Sequence, residues 1–363
     1  MFDGDSSLMW PLMRLGEICS PKQHPTISST ELTDVGYPAF GANGQIGFCK
    51  TYTHDKTTIA ITCRGATCGT VNVAPPYSYI SGNAMALDNL DQNRVDLEFL
   101  VHALRFRGLL DVISGSAQPQ ITRAPLLDVQ IPLPLLDEQR RIADVLRSID
   151  DVSSESRLVL DQAENCLKEL IDTVMRRGLG LSNGMGSDVP QTWRTGRCDS
   201  FFVLQRGFDI TESHASPGPY RVISSSGPTY YHAKSAVTGP AIITGRKGRL
   251  GTVFYSEGPC WPHDTTLWVK DFKGNLPRFI YWKLRAMNLS AYDAATSVPT
   301  LNRNNVHALN ISFPHLDEQH KIAELLDTSL NVIETHREHL NALNRLKDMA
   351  MTDLLSGRVR VPA

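Results

Sequence analysis

Ile131–Ile149 reads IPLPLLDEQRRIADVLRSI, and Ile311–Ser329 reads ISFPHLDEQHKIAELLDTS. The second stretch begins 311 − 131 = 180 residues after the first. Asp137-Glu138-Gln139 returns as Asp317-Glu318-Gln319, and Ile142-Ala143 returns as Ile322-Ala323. In each copy a Pro-containing apolar strand ends at an acidic pair, and a long apolar-periodic segment follows. Proline ahead of the segment stops any helix upstream. Asp at the cap and Glu in the first turn suit the free N–H groups and the positive end of a helix. Each copy therefore predicts a strand, a short connection and a helix start.

The repeat covers nearly the whole chain. Pro119, Ile121 and Arg123 match Pro299, Leu301 and Arg303 at the same offset, and Phe99 matches Phe279. Arg64-Gly65 with Gly69-Thr70-Val71 matches Arg246-Lys247 with Gly251-Thr252-Val253, where 251 − 69 = 182. Gly16 matches Gly196. Each copy holds a globular half of about 130 residues, enough to bury its own core, and a helix of about 40. The expected division is 1–134 for the first globular domain and 135–180 for the first long helix. Residues 181–190 form a linker, 191–314 the second domain, and 315–363 the second helix and tail.

A net charge of −2 and 41% apolar residues are ordinary globular values. No apolar run approaches the roughly 18 residues of a membrane span, and the N-terminus lacks a signal-peptide pattern. The seven cysteines are scattered without a metal-site spacing, so reduced thiols and a cytoplasmic setting are expected.

Short β-like runs at Thr58–Thr62, Thr70–Val73 and Met85–Leu87 are separated by Gly, Asn and Pro. A helix is expected at Asp96–Phe106, with Leu97, Leu100, Val101 and Leu104 on one face. The second copy has strands at Ala241–Thr244, Thr252–Tyr255 and Thr266–Val269, and a helix near Pro277–Met287. The class is α+β, without βαβ alternation. The first long helix should run from Asp137 to near Arg177, ended by Gly178 and Gly180, and the second from Asp317 to near Ser356. Apolar positions recur along the first at Ile142, Leu146, Ile149, Val152, Val159, Ala163, Cys166, Leu170 and Val174. Along the second they recur at Ile322, Leu326, Ile333, Leu340, Leu343, Leu346 and Ala350, with Ser329 and His336 in the same phase. Steps of three and four mark a helix packed on another helix. At 1.5 Å per residue each helix is roughly 60 Å long, too long to hide its stripe on its own small domain. The two helices are expected to pair as an antiparallel coiled coil about a pseudo-two-fold axis, with Leu146, Ile149, Val159, Leu326, Ile333 and Leu343 in the seam.

Two globular halves, each followed by a helix that opens on P-x-LDEQ-x-x-IA, resemble the specificity subunit of type I restriction-modification enzymes. The resemblance spans essentially the whole chain. It implies that each globular half is a target-recognition domain reading one part of a split double-stranded DNA sequence. It implies that the helices form the spacer and dock two methylation subunits, with Asp137, Glu138, Gln139, Asp317, Glu318 and Gln319 facing those partners. A pair of restriction subunits completes such an enzyme. S-adenosylmethionine and ATP with magnesium belong to the partner subunits, and this chain is expected to hold no cofactor, no metal and no catalytic residue.

The residues agree with a non-catalytic role. APPY at Ala74–Tyr77 has Ala where an amino-methyltransferase motif carries Asn or Asp, so it is read as a Pro-rich turn. No phosphate-binding G-x-x-x-x-G-K-[ST] loop occurs. His263-Asp264 is set aside as a dyad, because neighbours in a strand point to opposite faces. The candidates for DNA contact lie on Gly-rich loops. GRKGRLG at Gly245–Gly251 carries Arg246, Lys247 and Arg249, whereas its counterpart carries only Arg64. Glycine lets backbone approach phosphate, and the cations neutralise it. Asn43 and Gln45 in one half, and Ser225 and Ser226 in the other, carry groups able to pair with base edges. Arg123, Asn302 and Arg303 precede the last strand of each half, where an arginine grips DNA or bridges the domain to its helix. The rival reading is a two-domain helical scaffold that binds only proteins.

Overall fold

The computed structural model describes residues 10–115, 118–175, 190–293 and 299–361. Gly178, Gly180 and all but the last residue of the expected linker lie outside the described residues. The chain divides into two compact units, Met1–Arg157 with His339–Ala363, and Leu158–Glu338. Each long helix thus contributes one part to each unit.

In the first unit the strands are β1 (Leu12–Arg14), β2 (Ser20–Gln23), β3 (Tyr37–Gly41), β4 (Gly44–Cys49), β5 (Thr58–Thr62), β6 (Val71–Ala74), β7 (Tyr79–Ile80), β8 (Ala84–Asp88) and β9 (Gln130–Pro132). The helices that start here are α1 (Leu97–Arg107), α2 (Arg123–Leu127) and α3 (Leu136–Met175). A four-stranded sheet has the order β2-β8-β5-β6, and a three-stranded sheet has the order β4-β3-β7. β5 is buried along its whole length, which its apolar run TIAIT permits. Alanines 60, 74, 84 and 86 pack with Phe40 and Ile80 in a small cluster whose short side chains let backbones approach. The main core joins Ile59, Ile61 and Met85 to Phe99, Leu100 and Leu104 of α1 and to Ile142 and Leu146 of α3. β1 pairs antiparallel with β9, so the strand that opens the unit sits beside the one that leads into α3.

The second unit repeats this topology strand for strand. Its elements are β10 (Arg194–Arg197), β11 (Val203–Arg206), β12 (Tyr220–Ser224), β13 (Gly227–His232), β14 (Ala241–Gly245), β15 (Val253–Ser256), β16 (Trp261–Pro262), β17 (Thr266–Asp271), α4 (Pro277–Ala286), α5 (Arg303–His307), β18 (Asn310–Phe313) and α6 (Leu316–Leu355). The sheet orders are β11-β17-β14-β15, β13-β12-β16 and β10-β18. Among the described residues the expected strands and helices fall within a residue or two of the observed ones. The hairpins β3–β4 and β12–β13 stand where the sequence marks only loops, because Gly and Ser interrupt their alternation. Among the described residues no helix is long and apolar enough to cross a membrane. All seven cysteines are free thiols.

α3 and α6 pair. Within the first unit Asp150 meets Lys347, and Glu138 meets Arg360 in the segment after α6, so the partners run in opposite sense. Within the second unit Glu164 meets Arg337. In α3 every position of the series 142, 146, 149, 153, 156, 160, 163, 167, 170 and 174 is at least partly covered. In α6 the same holds for 322, 326, 329, 333, 336, 340, 343, 347, 350 and 354. The steps alternate between four and three, and each α6 position is its α3 counterpart plus 180, as in 142 + 180 = 322.

Of the six expected seam residues only Val159 lies outside the seam, and three further positions of the apolar series, Val152, Cys166 and Leu346, face solvent as well. Leu146, Leu326 and Ile333 are buried, and Ile149 and Leu343 are partly covered. Val159 is 43% exposed, Val152 45% and Leu346 50%, and Cys166 also faces solvent. Val152 and Val159 are seven apart and mimic a heptad stripe, but they stand one residue, about 100°, out of phase with Leu146. Ser153, Leu160 and Leu167 occupy the covered positions instead. The helix starts differ too. Each begins at the leucine before the acidic pair, so Asp137 and Asp317 lie in the first turn rather than at the cap.

Candidate nucleic-acid interface

Three separate segments meet in each unit. In the first, Gly41 pairs with Gly44, leaving Ala42 and Asn43 as a two-residue hairpin tip. Gly44 has φ +71°, a conformation that a residue without Cβ adopts freely. The Thr67 hydroxyl donates to the Ala42 carbonyl and so ties the tip to the Arg64–Gly69 loop. That loop is held in turn by the segment before α2. Gly65 N–H donates to Pro119 O at 3.1 Å, Ile121 N–H donates to Cys63 O at 3.0 Å, and Arg64 bridges to Gln120. Asn43, Gln45 and Arg64 are exposed on these segments.

The second unit builds the same junction from other residues. Ser224 pairs with Gly227, so the tip is Ser225-Ser226. The Thr252 hydroxyl donates to Ser225 O at 3.0 Å, Gly248 N–H to Pro299 O at 3.0 Å, and Leu301 N–H to Arg246 O at 2.8 Å. Lys247, Arg249 and Ser226 are exposed. Arg246 is partly covered, and its guanidinium donates to Asp264 O at 3.2 Å. Ser225 is buried, its N–H donating to Thr265 Oγ1, so the side chain offered for base contact turns inward. The tip equivalent to Ala42-Asn43 is Ser225-Ser226, which leaves Gln45 on β4 rather than at the tip.

Arg123 and Arg303 open the short helices α2 and α5. Arg123 Nε donates to Pro21 O at 2.9 Å, which anchors it to β2 of its own domain, whereas Arg303 is exposed. Asn302 caps α5 by accepting from Asn304 N–H at 2.9 Å, a structural use of its side chain. Arg206, which carries no signal in the sequence, is 54% exposed and donates to Asp264 Oδ2 at 2.8 Å beside Arg246. His263 and Asp264 do meet, with Nδ1 3.1 Å from Oδ1, because the chain turns after β16 instead of continuing as a strand. APPY forms the expected turn, with Ala74 buried at the end of β6.

The glutamines of the DEQ triplets serve the interior of each unit. Gln139 is fully buried and bonds three ways. Its Oε1 accepts from Asp96 N–H at 2.9 Å, and its Nε2 donates to Arg94 O at 2.9 Å and Pro134 O at 2.8 Å. Gln319 repeats this with Leu276 N–H at 2.9 Å, Asn275 Oδ1 at 2.8 Å and Pro314 O at 2.9 Å. Each amide thus locks the start of a long helix to the start of the domain helix, α1 or α4. A glutamine fully satisfied inside has no surface to offer a partner, so the expected partner-facing role of Gln139 and Gln319 is corrected. Glu138 is buried too. The Arg360 guanidinium grips both its oxygens at 2.7 and 2.8 Å and holds its carboxyl below the ordinary value. Glu318 accepts from Trp193 Nε1 at 3.0 Å. Asp137 and Asp317 remain exposed.

Lys283 of α4 is another interior group absent from the expected set, although a lysine inside the apolar run FIYWKL is its signal. It is fully buried, and Nζ donates to Met175 O at 2.9 Å. Met175 is the last described residue of α3, so the amine ties that helix to α4. Burial pushes the amine down to about 7.

The model of the type I restriction modification DNA specificity domain matches residues 8–159 and 190–345, once in each copy. The chain belongs to this family. It is 28% identical over 156 residues to the EcoprrI specificity subunit of Escherichia coli, covering 43% of this chain and 38% of that protein. It is 21% identical over 331 residues to the MjaVIII specificity subunit of Methanocaldococcus jannaschii, covering 78% and 74%. The match to the Escherichia coli subunit therefore spans about two fifths of that protein. The crystal structure of the type I S subunit of M. genitalium superposes with a TM-score of 0.71 at 16% identity, over 98% of each chain. A chain from a type I restriction-modification assembly gives 0.58 at 16% identity, over 97% of this chain and 98% of that one. At such identities the likeness concerns the fold: two α+β specificity domains, each followed by a long helix.

Proposed function

We propose that this chain is the non-catalytic specificity subunit of a type I restriction-modification enzyme. It binds a bipartite, asymmetric double-stranded DNA sequence and holds two methylation subunits and a pair of restriction subunits. One observation carries the reading. In both units the hairpin tip, the Gly-rich loop and the segment before the last strand are tied into one face by equivalent bonds. The exposed side chains on that face differ, Asn43, Gln45 and Arg64 against Ser226, Lys247 and Arg249. A shared frame with unshared tips is what two half-sites of different sequence require. Cations there neutralise phosphate, and amide or hydroxyl groups pair with base edges.

The constant offset of 180 between the covered positions of α3 and α6 supports an antiparallel coiled coil with pseudo-two-fold symmetry. Such a pair sets a fixed, unread spacer between the half-sites. Asp137 and Asp317, with the exposed turns that follow them, are the helix-start residues available to partners. The partner subunits supply S-adenosylmethionine, ATP and magnesium, and flip the target adenines out of the duplex.

Exchange of residues 10–134 for the equivalent domain of a related subunit, followed by genome-wide mapping of modified adenines, tests the division of labour. One half of the target should change while the other half and the spacer length stay. A change in both halves, or a continuous motif, refutes it.

A further inference from the structure

His24, His54 and Asp88 converge in the first unit although the chain separates them by 54 − 24 = 30 and 88 − 54 = 34 residues. His24 follows β2, His54 precedes β5 in a bridge to Ser78, and Asp88 ends β8. His24 Nε2 lies 3.1 Å from Asp88 Oδ2, and His54 Nε2 lies 2.9 Å from Oδ1. The rings stand edge to face with centroids 4.7 Å apart. The three donor atoms all lie within 4.8 Å of one another, and the side chains are only 12–17% exposed. None of these residues belongs to the three segments of the proposed DNA face.

We propose that these three side chains form a binding site for a divalent transition metal of the zinc type. Two imidazoles and one carboxylate are a donor set that favours such an ion over magnesium or calcium, which take oxygen ligands. Three protein ligands leave a fourth position for water. That position opens on a cleft of about 680 Å³ lined also by Asp55, Asp91 and Lys56, so carboxylates outnumber cations around it.

The surroundings prepare His54 for this role. Its Nδ1 lies 2.7 Å from Thr53 Oγ1, which accepts from Ile80 N–H at 2.9 Å and stands 3.4 Å from Ser78 O. When Nε2 binds metal, the ring proton sits on Nδ1 and is received by the Thr53 hydroxyl, which turns its own proton to Ser78 O. A hydrogen-bonded partner on the second ring nitrogen is the usual orienting device for a histidine ligand.

The second unit shows that the fold itself does not need the cluster. The bridge His54–Ser78 is replaced there by Val237–Cys260. Gly207 follows β11 where His24 follows β2, and Asp271, which ends β17, pairs with Lys273 instead. The histidines are thus an addition to one copy, and an ion there would staple three segments of that copy alone.

The test uses the purified full chain, stripped with a chelator and then titrated with Zn²⁺ and separately with Co²⁺. The wild type should take up one equivalent, raise its melting temperature, and give with cobalt the visible band of a low-coordinate nitrogen–oxygen site. His24→Gln, His54→Gln and Asp88→Asn should each lower affinity by more than the roughly hundred-fold that removal of a ligand's orienting partner costs. Folding of each variant is checked by circular dichroism, and any variant that unfolds is replaced by imidazole ¹⁵N shifts of His24 and His54 in the wild type on zinc addition. Absence of a stoichiometric equivalent in the wild type overturns the proposal, as does an equivalent that survives all three substitutions. Unmoved imidazole shifts at saturating zinc overturn it equally.

Discussion

The two units solve one problem with the same glutamine and different neighbours. In the first, Gln139 bonds to three backbone groups, and Glu138 is gripped by Arg360 from the segment after α6. In the second, Gln319 adds the side chain of Asn275, which reaches on to Phe201 O at 2.8 Å. Glu318 there takes the Trp193 indole, and Asp327 on α6 takes Arg278 at 2.7 Å and Trp282 Nε1 at 2.7 Å. The buried polar atom at each helix start must be satisfied, and this fixes the repeated residue. The periphery has many satisfactory solutions and drifts. The exposed faces diverge further, since one carries Arg64 and the other Lys247 and Arg249. Residues that hold the frame are therefore shared, and residues that face outward are free to encode a difference.

The glutamines should show the largest stability effect. Gln319→Leu strands Leu276 N–H, Pro314 O and Asn275 in the interior, at about 1–3 kcal/mol for each group left unpaired. Gln139→Leu strands three backbone groups but no second side chain, so it should cost less. Urea unfolding of the two variants measures the ranking, and equal, small losses would break the comparison.

The phase of the seam comes next. Leu160→Ala should cost about 2–5 kcal/mol, whereas Val159→Ala on the exposed side should stay within about 0.5 kcal/mol. Reversed values from thermal unfolding would restore the phase that the valines suggest.

A smaller effect is expected at the outward face. Alanine at Arg246, Lys247 and Arg249 together should weaken DNA binding and lower the log–log salt slope by about 0.9 for each phosphate no longer neutralised. Arg64→Ala should release at most one phosphate. A mobility-shift titration across salt concentrations compares them, and equal slopes for the two variants would show that the units do not differ in phosphate grip.

Lys283 gives the most specific signal. Its folded value of about 7 lies below the ordinary lysine value of about 10.4, so the unfolded chain binds more protons between these pH values. Stability of the second unit should therefore rise from pH 7 towards pH 10 and be flat with respect to this group below 7. The first unit has Ala103 at the matching position, 283 − 103 = 180, and lacks this contribution. Lys283→Met should flatten the rise in chemical denaturation curves. An unaltered slope would place its origin elsewhere.

The sequence by itself determined the repeat, the class, the family resemblance and most strands and helices. These rest on patterns that recur at a fixed offset, and a repeated pattern reports burial twice. It also located the three segments of the candidate interface, because Gly, Asn and Ser mark turns wherever they fall. Only the tertiary structure decided the roles of single side chains. It turned Ser225 inward, anchored Arg123 to β2 and spent Asn302 on a helix cap. It rotated the seam from Val159 to Leu160, since a heptad stripe read from apolarity alone does not reveal that Ser153 and Ser156 take partly covered positions. It moved Gln139 and Gln319 from the surface to the interior, because an amide's burial depends on donors and acceptors that lie some 43 to 45 residues away in sequence. And it brought His24, His54 and Asp88 together across three segments, a proximity that no local spacing encodes.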